Sequence, residues 1–137
     1  MPYLLDTNVL SELRRQRPHP GVRAWAESTS SEAMFLSALV IGEVRKGIEV
    51  LRRRDASQAL ALDIWLSTVL HDYEDRVLPV TAHIAEEWGR FNVPDPVSTI
   101  DGLLAATARV HGLTLVTRNV KDVARTGVPV LDPFALA

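Results

Sequence analysis

Three acids, Asp6, Glu43 and Asp101, sit in sequence settings that could support chemistry, and Asn119 and Asp122 offer a fourth contribution. Asp6 ends the apolar run Tyr3-Leu4-Leu5 and precedes Thr7-Asn8-Val9-Leu10, which alternates like the first turn of a helix. A carboxylate at the carboxyl end of a strand stands where open α/β sheets bind their ligands. Asp, Thr and Asn are also good helix caps, so this position alone does not decide. Asp101 falls in the first turn of a helix predicted over residues 99–111. Leu104, Ala105 and Ala108 follow it by three, four and seven residues and turn it toward an apolar face. Glu43 lies at the margin of the face that Val40, Val44, Gly47, Ile48 and Leu51 define on a helix predicted over residues 38–53. Burying a carboxylate is costly unless it is paired or holds a cation, and one shared cation would answer for both helical acids. Asn119 and Asp122 follow an apolar strand predicted over residues 113–117, again at a carboxyl end. Together these groups describe an oxygen-lined site for one or two hard cations, the arrangement that two-metal nucleases use to position water and stabilise phosphate.

The elements that must position these groups alternate regularly. Strands are predicted at residues 2–5, 33–37, 76–80, 113–117 and 128–131, and helices at 7–15, 22–28, 38–53, 55–73, 81–91 and 99–111, with a helical turn at 118–122. The prolines around Asp95 make residues 92–98 a loop, and Gly112 ends the helix that follows it. This alternation implies an α/β fold, a three-layer α/β/α sandwich around a central, mostly parallel sheet of four to five strands. On the helix at 55–73, Leu62, Trp65, Leu66, Val69 and Tyr73 form a stripe that Leu60 and Ile64 broaden; plain core packing is the favoured account, and a subunit contact is the alternative. Ser37 and Thr117, both at predicted strand ends, are candidates to orient the carboxylates or a water, although local hydrogen bonding would explain them equally. Thr7 and Asn8 stand beside Asp6 as supporting polar groups.

At 137 residues, with 47% apolar and 23% charged residues, the chain reads as a single domain over residues 1–137. It has no cysteine, which excludes disulfides and thiolate sites and points any metal toward oxygen ligands such as those of magnesium or manganese. No apolar run approaches the roughly 20 residues of a membrane span, so the reading is a cytoplasmic protein without membrane contact. A formal net charge of -2 gives no overall attraction to nucleic acid, and phosphate binding must come from a local patch or a bound cation. Arg14, Arg15, Arg17, Arg118 and Lys121 follow segments that end at the proposed crevice; we take Arg14, Arg118 and Lys121 as the substrate-binding candidates. Histidines 19, 71, 83 and 111 share no ligand spacing. There is no glycine-rich phosphate loop, no Gly-x-Ser-x-Gly and no aromatic RNA-recognition motif, which disfavours nucleotide-binding enzymes, serine hydrolases and RNA-recognition domains.

The series Leu5-Asp6-Thr7-Asn8-Val9-Leu10-Ser11-Glu12, Glu43 after Leu36-Ser37, Asp101 ahead of Leu104-Ala105-Ala106-Thr107-Ala108, and Thr117-Arg118-Asn119-Val120-Lys121-Asp122 resembles the PIN domain family. More narrowly it resembles the VapC toxins of bacterial toxin-antitoxin pairs, in their FitB-like branch. The resemblance implies a parallel sheet, magnesium- or manganese-dependent cleavage of RNA to 5'-phosphate and 3'-hydroxyl ends, homodimers, and a cognate antitoxin. It makes Asp6, Glu43 and Asp101 the three central acids. Many members carry aspartate at the position of Asn119, so a second metal is held less securely here, and Asp122 is the candidate for the missing charge. The alternatives are a non-catalytic PIN-like module that binds RNA or a partner, and a receiver-like domain. The receiver reading requires a lysine at a late strand end, where Arg118 and Asn119 stand instead.

Overall fold

The computed structural model describes residues 2–136. Its strands are β1 (Tyr3–Leu5), β2 (Met34–Ser37), β3 (Val77–Leu78), β4 (Thr114–Val116) and β5 (Val130–Leu131). The helices are α1 (Thr7–Leu13), α2 (Pro20–Glu27), α3 (Ala38–Arg52), α4 (Ala56–Asp72), α5 (Ala82–Phe91), α6 (Thr99–His111) and α7 (Val120–Val123). Apolar runs without alternation become strands buried on both faces: Leu4, Leu5, Leu36, Leu115 and Val116 are all sealed from solvent. The strands form one sheet in the order β3-β2-β1-β4-β5, and every pairing is parallel.

The chain steps outward from β1 to β2 to β3, then returns past both to β4 and continues to β5. Right-handed crossovers therefore place α1 to α4 on one face and α5 to α7 on the other. The packing agrees, because α1 meets α2 and α3, α3 meets α4, and α6 meets α5, α7, β1 and β4. This is the anticipated three-layer sandwich. The strand order reverses between β1 and β4, so a crevice opens at their carboxyl ends.

Local chemistry sets the boundaries. The side chains of Ser37, Asp55 and Thr81 accept hydrogen bonds from the amides of Leu39, Gln58 and Ile84 and so cap α3, α4 and α5. Gly112 ends α6 with a φ of 66°, a left-handed conformation that glycine adopts without steric cost. α2 starts at Pro20, two residues before the predicted start, because proline suits the first helical position.

Some expectations are corrected. Gly47, expected on the buried face of α3, is exposed, while Val40, Val44 and Ile48 are buried. On α4 only Ala59, Leu66 and Val69 are buried, and Leu60 and Ile64 remain 57% and 64% exposed. A helix packed chiefly on α3 buries one stripe, which is narrower than its apolar face. A 3₁₀ turn at Pro133–Ala135, unforeseen in the sequence, packs against α2. No helix of the described residues is long and apolar enough to cross a membrane.

The contact between α2 and that last turn is so close that a Cβ on Gly21 would overlap the carbonyl oxygens of Pro133 and Leu136. Gly89, in α5, is open by contrast, and a methyl group there would meet nothing within 4 Å. Gly21→Ala should therefore destabilise the protein by about 1–3 kcal/mol through overpacking. Gly89→Ala should be neutral or stabilise by up to about 1 kcal/mol through helix propensity. Urea denaturation of both variants checks the contrast, and equal effects would contradict the packing.

Candidate active site

The sheet itself fixes Asp6. Its backbone N–H donates to the Val116 carbonyl at 2.9 Å, extending the β1–β4 ladder one residue past β1 and holding Asp6 at the point of strand-order reversal. The side chain is only 5% exposed. One carboxylate oxygen accepts from the Thr7 amide and the other from the Thr117 hydroxyl, both at 2.6 Å. Asp6 is thus both the cap of α1 and a clamped, buried carboxylate, so the two readings of its sequence position hold together. Thr117, buried behind it, also accepts from the Asn119 amide at 3.0 Å and fixes the turn after β4. The Thr7 hydroxyl donates to Glu43, which ties α3 to the start of α1.

Asp101 arrives from the opposite face of the sheet on α6. Gly102 next to it permits a close approach to α5, since a Cβ there would lie 2.9 Å from Trp88 Cδ1. Burial pushes the Asp101 carboxyl above its ordinary pKa, and the charges of Asp6, Asp122 and Glu43 push the same way, while Ser98 partly offsets them. Acids from three other segments therefore lie within electrostatic reach of Asp101.

A cleft of about 660 Å³ receives Asp6, Glu43, Asp101 and Asn119, together with Thr7, Asn8 and the basic residues Arg14, Arg15 and Arg118. Other candidates stand elsewhere. Asp122 lies outside the cleft lining, although its charge acts on Asp101. Lys121 is exposed and also outside the lining. Ser37 is wholly buried and spends its hydroxyl on capping α3, so it shapes that helix and orients no carboxylate.

Five lining residues were given no role in the sequence reading, Ser11, Glu12, Ser98, Ile100 and Phe134. Glu12 had a readable signal, because Asn8, Ser11, Glu12 and Arg15 follow the spacing of a polar helical face. One of its carboxylate oxygens accepts from the His19 amide at 2.8 Å. Phe134 had none, since its place depends on the fold closing upon the last turn.

The donors facing the cleft suit a hard cation in type and charge. Asn8 adds a buried Oδ1 with no hydrogen-bond partner, an acceptor that its surroundings leave unsatisfied. Among the described residues no three acidic or imidazole groups already enclose a single point; the acids border a common space instead.

The raised pKa of Asp101 has a consequence for stability. An acid whose pKa is higher in the folded than in the unfolded chain weakens the fold once ionised. That penalty is absent below the ordinary carboxylate range and complete above the raised value. Asp101→Asn should accordingly raise the melting temperature at neutral pH in chelator, with the gain fading as pH falls into the carboxylate range. Thermal denaturation across pH checks this, and a gain independent of pH would contradict it.

The PIN domain family model matches residues 3–128. The toxin FitB of Neisseria gonorrhoeae is 32% identical over 136 residues, covering 96% of this chain and 97% of that protein. A VapC ribonuclease of Sinorhizobium fredii is 30% identical over 139 residues, covering 96% of each. Among solved structures, FitAcB from Neisseria gonorrhoeae superposes with a TM-score of 0.88 at 31% identity, over 98% of this chain and 99% of that one. A toxin-antitoxin complex from Klebsiella pneumoniae gives 0.69 at 27% identity, over 96% and 97%. A family match that runs from β1 through α7, on a fold shared almost end to end with these relatives, makes this chain a member of the PIN domain family.

Proposed function

We propose that this protein is a metal-dependent endoribonuclease and the toxin of a toxin-antitoxin pair, cutting RNA to leave 5'-phosphate and 3'-hydroxyl ends. The observation that carries the reading is the gathering of Asp6, Glu43 and Asp101 around one cleft, with Asp6 buried and clamped. Relatives with the same fold are named as a toxin and a ribonuclease. Asp6, Glu43 and Asp101 would hold magnesium or manganese, with Asn119 at the cleft edge and Asp122 acting through its charge from behind. The cation supplies activation of water and stabilisation of the charge that develops on the phosphate. Thr7 and Thr117 keep two of the acids in place, so little reorganisation is needed when substrate arrives. Arg14 and Arg118 offer guanidinium groups to phosphates beside the reacting one. Lys121, outside the cleft, would contribute only long-range attraction.

The partner would be a small antitoxin. A groove of about 330 Å³ between α1, α3 and α4 shares Thr7, Ser11, Arg14 and Glu43 with the cleft and continues over Ile48, Leu51, Leu62 and Trp65. An apolar helix laid there could send a basic side chain onto the acids, because carboxylates in mutual repulsion accept an arginine or lysine as well as a metal. Assembly as a homodimer belongs to the same proposal, and the exposed Leu60, Ile64 and Leu70 of α4 are apolar residues left for a subunit contact.

Two experiments follow. RNA cleavage by the purified protein should stop in excess chelator and return with magnesium or manganese. Asp101→Asn should retain the fold and lose at least about a hundredfold in activity, the scale on which preorganised charge acts. Full activity in chelator would refute the metal, and metal binding with no cleavage of any RNA would favour a non-catalytic module. Separately, raising magnesium at constant ionic strength should weaken antitoxin affinity in calorimetric titrations, and Asp101→Asn should blunt the dependence. Affinity independent of magnesium would mean that the antitoxin only covers the groove.

A further inference from the structure

Phe134 lines the carboxylate cleft from the far end of the chain. Arg118 Cζ lies 4.3 Å from the centroid of its ring, and the His19 ring lies 5.3 Å away, tilted by 57°. The turn that carries the ring is well anchored. The Asp132 carboxylate accepts from the Phe134 amide at 2.9 Å, Pro133 is buried, and Gly21 allows α2 to press against the carbonyls of Pro133 and Leu136. Arg118 is equally fixed at its base, because Thr117 before it is bonded to Asp6 and Asn119 after it is bonded to Thr117. Among the described residues no carboxylate pairs with Arg118, so its guanidinium is held by the aromatic face alone.

We propose that Phe134 is a positioning residue that holds the Arg118 guanidinium over the rim of the carboxylate cleft, ready to take a phosphate of the RNA strand. The inference rests on the ribonuclease reading. An exposed arginine normally explores many rotamers and loses that freedom when it binds. A ring beneath the guanidinium attracts its charge and leaves its edge N–H groups free for two phosphate oxygens. A carboxylate partner in the same place would occupy those donors. Because Arg118 sits at the rim while Asp6 lies buried at the floor, the contribution belongs to substrate capture and not to the reacting step.

The test uses the full-length protein with magnesium and a fluorescein-labelled single-stranded RNA oligonucleotide that the wild type cuts. Phe134→Ala and Phe134→Leu should raise KM about two- to fivefold, the range a surface cation–π contact spans, with kcat unchanged. Phe134→Trp should restore wild-type KM. Arg118→Ala should raise KM in the same way and reduce the slope of affinity against salt by about one contact. Added to Arg118→Ala, Phe134→Ala should have no further effect on KM, since the residue it positions is gone. Wild-type KM in Phe134→Leu would overturn the proposal, and so would equal costs of Phe134→Ala with and without Arg118; the leucine variant serves if the alanine one fails to fold. A wild type that cuts RNA while these variants are unaltered removes this inference alone. A wild type that neither cuts nor binds RNA removes the ribonuclease reading from which it starts.

Discussion

Acids that repel one another are gathered at the carboxyl ends of β1 and β4 by bonds made behind them, and much of the chain is arranged to hold them there. The backbone of Asp6 is locked into the β1–β4 ladder and its side chain between Thr7 and Thr117. Those hydrogen bonds give each carboxylate oxygen a donor, which makes burial to 5% exposure tolerable for so polar a group. Asp101 has less help, and its raised pKa records the unrelieved part of the burial and repulsion. Placing it on α6, opposite the helix that carries Glu43, uses both faces of the sheet to bring the charges to one crevice. Neither helical layer could do this alone.

The same arrangement accounts for a nucleic-acid enzyme with an acidic balance. Its formal charge is -2, yet Arg14, Arg15 and Arg118 are exposed beside the cleft while Asp6 is buried. Basic groups at the rim attract a polyanion over a Debye length of about 10 Å or less in physiological salt. Acids at the floor repel it unless a cation intervenes. A polyanion can therefore be held at the rim without reaching the acids, and on the proposed metal-dependent reading a cation at the floor would let a phosphate approach them.

Much of this was legible in the sequence because it depends on local pattern. Unbroken apolar runs became strands, and Gly112 marked a helix stop. Asp6, Glu43 and Asp101 could be read because each combines a carboxylate with an apolar setting that demands compensation. What was not legible depends on contacts between distant segments. Ser37 and Thr117 look alike in sequence, each a hydroxyl at a strand end, yet one caps a helix and the other clamps Asp6. Only the reversal of strand order between β1 and β4 distinguishes them. Asp122 and Lys121, both in α7, lie outside the cleft lining, and their place depends on how that short helix packs against α6.

The bond from Thr117 to Asp6 spans 111 residues, and the wall carrying Phe134 joins the end of the chain to α2. Helices such as α3 and α4 can form from neighbouring residues, but contacts so distant in sequence exist only when the sheet is complete. A partly folded chain would thus carry helices and no clamped Asp6. Its acids, exposed and free to separate, would have little reason to share a cation. Coupling the site to contacts so distant in sequence means that the clamped, charged cleft and the completed sheet arise together.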